Sequence, residues 1–517
     1  MNLIVTHGYM LSGSGSNIYV QNLCRALVRA GNEVHLLCQE PRPLAYDFVD
    51  AYYSVTDESI ELSGQQATTF DGRCAVYQPD VGDILPVYVY DEYPGWRVKT
   101  FLDLSSQEFE EYVGRNVAAL RWVLAETDAE AVITNHSVPG PLIASKALLH
   151  TNVPYLSIVH GSALQYVARR SAFYRVVARE GLTSARQVLA LSLDSAGTFL
   201  EDFPELEGRV QALPGGVDTE LFQPDALDPH SLTTLCGGAG RGPQQTSALV
   251  KLLTSPGLNE PSLAGKLNEI SASYDPRAGD RDAGQRLRLL LDSDSPLIIY
   301  VGKLIHSKGV HSLLSAFARV HRDMGAKLLI VGFGTFREAL EALTLALSRG
   351  DTQAVHLLAA GGQLYEGESR SPMAHFTPSA KMLRNAPGMG SAVEFVGPLG
   401  HAALAKLLPT ADVAVVPSIF PESFGLVAAE AAASGVPPLV ADHSGLREAG
   451  GIAGRGLPFR LRVSMEGFEE NLAGALTRYL SRSRTERAGY REIVRRNSVE
   501  YLGWDSLAEK IARLTAG

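Results

Sequence analysis

Two doubly wound α/β domains in tandem are what this sequence predicts, and three observations carry the prediction. The front half alternates short β-rich runs with stretches of helical periodicity. The back half repeats that alternation without repeating the residues. The 517 residues exceed the length at which a single hydrophobic core keeps growing. Strands separated by helices need crossover connections, which give parallel sheets covered on both faces.

Residues 3–6 read as the first strand. Ile18, Val20, Leu23, Ala26 and Leu27 then recur at helical spacing over residues 17–30, Gly31-Asn32 stops the helix, and residues 33–38 form the next strand. Residues 131–134, 155–159 and 187–191 are further strands, each with a helical stretch behind it. In the back half the β-rich runs are 297–301, 328–331, 393–396, 413–416 and 438–441, interleaved with helical stretches at 312–322, 336–348 and 402–408. The domains expected are 1–216 and 217–500, each Rossmann-like, with the default ligand site in a central cleft outside the carboxyl ends of the strands. Two stretches fit poorly. Residues from about 225 to 294 are rich in Gly, Pro, Ser and Asp, with helical pieces such as 285–291, and residues from about 350 to 390 have little periodicity and several Gly, Pro and Ser. Each reads as an insertion or as a functional lid. Residues 478–496 read as exposed helix.

Composition excludes several classes. With 45% hydrophobic and 20% charged residues the chain is ordinarily globular. A formal net charge of -10 argues against sequence-independent binding of nucleic acid, which needs a basic surface. Cys24, Cys38, Cys74 and Cys236 lie far apart, suggesting neither a zinc site nor a disulfide framework, and a reducing cytoplasm fits. The first residues read as a buried strand rather than a signal peptide, and no apolar run reaches the roughly 18 residues that span a bilayer.

The strongest motif runs from Pro421 through Glu422, Phe424, Gly425, Leu426 and Glu430 to Pro437. Glu422 precedes an Ala-rich helix and Glu430 projects from it. Each carboxylate can grip a sugar diol through two hydroxyl hydrogen bonds, and the N–H groups at Phe424, Gly425 and Leu426 favour negative charge at the helix start. Two solvated capping glutamates are the bland alternative. The whole block, with its E-x7-E core followed by Ser434-Gly435-Val436-Pro437, resembles the donor-binding signature of the retaining glycosyltransferases of family 4, which share the two-domain GT-B fold. Three further blocks resemble that family in the order it requires. They are the junction from Leu213 to Pro224, the diphosphate strand-loop from Tyr300 to Val310, and the Gly-rich turn from Leu329 to Arg337. The resemblance covers most of the chain outside the two insertions and the stretch from about 45 to 103.

The resemblance implies a hexosyltransferase that uses a nucleoside-diphosphate sugar as co-substrate and no cofactor, with a hydroxyl acceptor of unspecified class. Lys303 and Lys308 would stabilise the negative charge of the departing diphosphate. The family usually carries Arg at the first position, so Lys303 keeps the charge without the planar fork. Gly302 lies in the same loop. In the front half the loop Gly13-Ser14-Gly15-Ser16 precedes the first helix, and the resemblance places Gly15 near the donor phosphate. His160, at the end of the strand 155–159, would hydrogen-bond the transferred sugar; a structural histidine is the alternative. Ser16, Asn135 and His136 are candidates for the acceptor pocket. No Asp-x-Asp metal motif stands out, so no metal ligand is expected. Retention follows from the resemblance alone, with same-face attack by the acceptor. The terminal helix, 501–517, is expected to pack back on the first domain.

Arg169, Arg170, Arg175 and Arg179 recur through a helical stretch with Tyr166, Phe173 and Val176. A solvated helix face is the plain reading; peripheral membrane contact with anionic lipid is the other. Two rival functions stay in view. One is a non-catalytic nucleotide-sugar or glycan binding module on the same scaffold. The other is an NAD-dependent oxidoreductase, in which Glu40, just past the second strand, would bind a ribose.

Overall fold

A computed structural model describes residues 1–56, 59–89, 93, 95–225, 231, 237–292 and 294–516; Cys236 lies outside them. The chain divides into two compact units, Met1–Gly216 with Leu502–Gly517, and Val217–Tyr501.

Unit 1 holds eleven strands among the described residues: β1 (Asn2–Thr6), β2 (Glu33–Leu37), β3 (Ala51–Val55), β4 (Ile60–Gln65), β5 (Arg73–Pro79), β6 (Ile84–Val87), β7 (Arg97–Thr100), β8 (Ala131–Asn135), β9 (Tyr155–Val159), β10 (Gln187–Ala190) and β11 (Val210–Ala212). Nine form one sheet in the order β11-β10-β9-β8-β1-β2-β5-β3-β4, and β6 pairs with β7. Every ladder of the large sheet is parallel except β3 with β4. Alternation along β1 shows why both faces are covered. Ile4 enters the core built on helices Ser106–Glu126, Gly140–Ala147 and Ala172–Thr183, whereas Leu3 and Val5 enter the opposite core. That opposite core contains Val20, Leu23 and Leu27 of helix Gly15–Arg29 and Trp504, Leu507 and Ile511 of helix Trp504–Ala516. The terminal helix is tied to the first by Arg29–Asp505 at 2.6 Å, and a side chain at Gly216 would strike the Trp504 ring.

Unit 2 is built on six parallel strands, β12 (Leu297–Val301), β13 (Lys327–Val331), β14 (Val393–Phe395), β15 (Val413–Val416), β16 (Pro438–Ala441) and β17 (Arg462–Val463), ordered β14-β13-β12-β15-β16-β17. Both sheets are therefore doubly wound, as the alternation predicts. Strand order reverses at β1/β8 in the first and at β12/β15 in the second, and in such sheets ligands bind outside the carboxyl ends at those points.

Three readings need correction. The first Gly/Pro-rich stretch is more regular than its composition suggests: beside helix Ala283–Leu291, where a helical piece was expected, it contains helices Pro243–Leu253 and Glu260–Ser271. A buried charge network fastens it to the unit. Asp280, fully buried, accepts from Arg337 Nη1 and Nη2 (2.8 and 2.7 Å) and from Arg286 Nη2 (2.6 Å), while Arg241 pairs with Glu338 (3.0 Å) and Glu341 (2.8 Å). The second stretch includes helix Thr352–Gly361, started by Asp351, whose side chain accepts from the Ala354 N–H at 3.0 Å. Helix Arg484–Leu502 is anchored by its arginines rather than merely exposed. Arg491 donates to the Ala411 and Pro409 carbonyls, and Arg495 to those of Phe222, Ala433 and Thr219.

Candidate functional site

In unit 2 the site is assembled by glycine at the switch point. A Cβ on Gly332 would come within 1.8 Å of the Gly302 carbonyl oxygen, and one on Gly334 within 2.3 Å of the Leu304 carbonyl, so the turns after β12 and β13 touch backbone to backbone. A Cβ on Gly309 would lie 2.1 Å from the Pro417 carbonyl oxygen. That approach sets the loop bearing Lys308 against the end of β15. Lys308 pairs directly with Glu422, and the Ser418 hydroxyl donates to the same carboxylate at 2.6 Å. The Glu422 N–H donates to Ser444 Oγ at 2.9 Å. Tyr300, buried beside Glu422, donates to the Lys303 carbonyl at 2.8 Å, and its phenol is raised by burial and then by that carboxylate. The Lys303 side chain is exposed.

Gly425, at φ +98°, caps helix Leu426–Ala433, and a side chain there would strike Leu446. Phe424 is buried, whereas Leu426 and Glu430 are half-buried. Burial raises the Glu430 carboxyl, and the nearby His401 opposes that shift. Among the described residues no ion pair joins Lys303 or Glu430 to the Lys308–Glu422 pair. The structure thus couples two of the four charged candidates directly. Ser418 and Ser444 were missed in the sequence, because a serine carries no periodic signal; only their places after β15 and β16 mark them.

In unit 1 the carboxyl ends of the adjacent strands β1, β8 and β9 each deliver a histidine. His136 lies between His7 (ring centroids 5.8 Å apart) and His160 (4.7 Å). Asn135 Nδ2 donates to the Thr6 carbonyl at 3.1 Å, so its Oδ1 accepts, and His160 Nε2 at 3.0 Å is the donor. By the same reasoning His7 Nε2 donates to Asn17 Oδ1 at 3.0 Å, since Asn17 Nδ2 donates to the Ser12 carbonyl. Burial lowers His7 to about 4, His160 to about 3, and His136 well below the usual imidazole value. All three are therefore neutral near pH 7. His136, only 1% exposed, has φ +69° and, among the described residues, no hydrogen-bond partner at either ring nitrogen. A buried polar group left unpaired and a non-glycine residue at positive φ both cost stability, which makes His136 a candidate site residue. A cavity of about 40 Å³ beside the cluster is lined by Thr6, His7, Tyr9, Tyr88, Tyr112 and Asn135 among others, none of them Lys or Arg. His7 was missed; its sequence signal is the strand end that singles out His160.

Ser14 caps helix Gly15–Arg29 by accepting from the Asn17 N–H, and Ser14 and Ser16 hydroxyls lie 3.1 Å apart. A Cβ on Gly15 would meet no protein atom within 4 Å, so packing within the protein does not require glycine there. Glu40 corrects the oxidoreductase reading. One carboxylate oxygen accepts from the Leu11 N–H and the Tyr46 hydroxyl, the other from the Arg42 N–H, and the residue is buried. A carboxylate so occupied cannot also hold a ribose diol.

Of the basic stretch, Arg169 pairs with Asp202 and Arg179 with Glu205, while Arg170 lies over the Tyr166 ring and Arg175 is exposed beside Phe173 and Val176. No helix of the described residues is long and apolar enough to cross a membrane. Among the described residues no group of three or more His, Cys, Asp or Glu side chains is placed to hold a metal. Cys24, Cys38 and Cys74 are free and buried.

Comparison with known proteins bears on the family and the fold. The model of Glycosyltransferase Family 4 matches residues 13–221, and that of Glycosyl transferases group 1 matches 284–365 and 379–492. The first match runs through residues 45–103, which the motif reading had left outside the resemblance. An uncharacterized glycosyltransferase of Methanocaldococcus jannaschii is 30% identical over 158 residues, 31% of this chain and 30% of that protein. A glycogen synthase of Mycobacterium tuberculosis is 35% identical over 153 residues, 29% of this chain and 27% of that protein. A D-inositol 3-phosphate glycosyltransferase of Nocardia farcinica is 32% identical over 173 residues, 34% of this chain and 31% of that protein. The matched part thus spans about a third or less of these relatives' length. Among solved structures, a sucrose-phosphate synthase from Thermosynechococcus elongatus aligns over 100% of this chain and 98% of its own, with TM-score 0.56 and 20% identity. HepE of Anabaena, with UDP and glucose bound, aligns over 100% and 99%, with TM-score 0.53 and 13% identity. These two likenesses are of fold.

Proposed function

We infer the reaction from one premise: this chain belongs to the family 4 type of glycosyltransferases with the GT-B fold. It transfers a hexose from a nucleoside-diphosphate sugar to a hydroxyl acceptor, without a metal and with retention at the anomeric carbon. The observation that carries the donor side is the Lys308–Glu422 pair at the β12/β15 switch point, beside two turns that glycine allows to pack backbone to backbone. A diphosphate needs a cation and a sugar needs a carboxylate; both kinds of group occur there. HepE, which shares the fold, binds UDP.

Unit 2 binds the donor and unit 1 the acceptor. Glu422 holds the Lys308 ammonium in place before donor binds, and the incoming phosphate then shares that cation. As the bond from the anomeric carbon to the phosphate oxygen breaks, Lys308 stabilises the oxygen's growing charge, with Lys303 as the second cation. The acceptor hydroxyl attacks from the same face, and its proton passes to the departing phosphate. Neutral His160, its Nε2 proton directed to Asn135, offers Nδ1 as an acceptor for a sugar hydroxyl. Phe424, Gly425 and Leu426 lie at the helix start that receives negative charge, and Glu430 takes the ribose diol.

The test is a nucleotide-release assay over UDP-, ADP- and GDP-sugars with product mass and anomeric NMR. Turnover that survives a chelator and gives a retained anomer is expected. An inverted product refutes same-face transfer, and activity that returns only with added manganese or magnesium refutes metal independence.

A further inference from the structure

The match to the group 1 family model breaks between residues 365 and 379, within the second Gly/Pro-rich stretch. The unmatched segment does not hang free. Tyr365, Met373 and Phe376 are buried, and the Gly362 and Met373 N–H groups close the segment on the end of helix Thr352–Gly361 through the Leu358 and Ala359 carbonyls. From this base the segment grips the loop that bears Lys308 at several points. The Ala374 N–H donates to His306 Nε2 at 3.2 Å, and its carbonyl accepts from His311 Nε2 at 2.8 Å. Those two hydrogen bonds fix the tautomer of each ring, His306 accepting and His311 donating at Nε2, and the two imidazoles stack at 4.9 Å. The Ser312 hydroxyl donates to the His375 carbonyl at 2.6 Å. One oxygen of Glu366 accepts both the His306 N–H, 3.0 Å, and the Thr335 hydroxyl, 3.2 Å. His306 follows β12 and Thr335 follows β13, so a single carboxylate bridges the two glycine turns of the donor side.

We propose that Glu366, held by the 366–378 insertion, is a positioning residue that fixes the Gly302–Lys308 and Gly332–Thr335 turns in register for a nucleoside diphosphate. The inference rests on the reading of those turns as the donor site. It makes the insertion a brace, not a lid. A brace acts by sparing the site the ordering that binding would otherwise require, so its loss weakens affinity without removing any ligand contact.

The experiment is calorimetric titration of the full-length wild type, E366A and E366Q with UDP, ADP and GDP. E366A should bind the preferred nucleotide about tenfold more weakly, the effect of losing charge-assisted hydrogen bonds. E366Q keeps an oxygen that accepts from both donors and should stay within about threefold of wild type. A general structural role would lower stability in both variants without that rescue. Should E366A not fold, T335V removes the other donor of the bridge and should weaken binding in the same direction. Wild-type affinity in E366A, or in T335V if that variant replaces it, overturns the inference alone. A wild type that binds none of the three nucleotides overturns the donor-site reading and the inference together.

Discussion

Replacing Asp280 by alanine should cost unit 2 about 3 kcal/mol of stability. The carboxylate is fully buried and accepts three guanidinium N–H bonds at 2.6 to 2.8 Å, two from Arg337 and one from Arg286. Breaking a buried ion pair from one side costs about 3–5 kcal/mol, because the partner charge stays behind without compensation. Each arginine keeps another carboxylate here: Glu341 at 3.0 Å for Arg337, and Asp282 and Glu394 at 3.1 Å for Arg286. The lower end of that range therefore applies. In D280N the amide NH2 would face guanidinium donors, so it should recover no more than about 1 kcal/mol of the loss. The assay follows thermal and urea unfolding by far-UV circular dichroism and by tryptophan fluorescence. All three tryptophans, Trp96, Trp122 and Trp504, lie in unit 1, so fluorescence reports that unit and the dichroism reports both. At about 2 °C per kcal/mol for a unit of this size, the dichroism transition of unit 2 should fall by about 6 °C. A D280A variant within about 1 kcal/mol of wild type would refute the view that this network fastens residues 237–292 to the sheet.

K308A should lower kcat/KM for the donor by about a hundredfold or more in steady-state assays, since it removes a cation from the leaving group. Unit 1 should lose stability as pH falls below about 6.5. The folded-state values of His7 and His160 are depressed to about 4 and about 3, so the unfolded chain takes up protons first, at about 1 kcal/mol per pH unit for each. The loss is absent above pH 6.5, and H7Q should flatten the slope in fluorescence-monitored urea titrations at pH 7.5 and 5. H136N, which tolerates the positive φ, should change urea stability by less than about 1 kcal/mol while acceptor-dependent turnover drops about tenfold or more, because among the described residues the imidazole has ring contacts but no hydrogen bond to lose.

Strands are the most legible part of this chain. Residues 155–159, 297–301, 413–416 and 438–441 were bounded from sequence as the structure bounds β9, β12, β15 and β16, because a strand buried on both faces is an unbroken apolar run. Strands β3 to β7 escaped, and for β4, at the edge of the large sheet, the reason is plain: an edge is half-exposed and its residues are mixed, Ile-Glu-Leu-Ser-Gly-Gln. The helix from Leu426 and the acid before it were legible because loop, cap and helix are contiguous. By contrast, the helices and buried charges of residues 237–292 were masked by composition: Arg241, Asp280 and Arg337 look like surface residues until their partners are known.

By itself the amino-acid order determined which runs are strands and helices, that they alternate in two sets, and which contiguous blocks carry glycine turns and the paired glutamates. Apolar spacing and local backbone chemistry act over a few residues, so a linear reading contains them. Only the tertiary structure decided that His7, His136 and His160 lie side by side, that Lys308 meets Glu422, that Glu40 is already occupied, and that Glu366 bridges two turns. Each depends on strand order in a parallel sheet, where crossovers bring the carboxyl ends of strands dozens of residues apart to one edge, and no local spacing encodes which ends become neighbours.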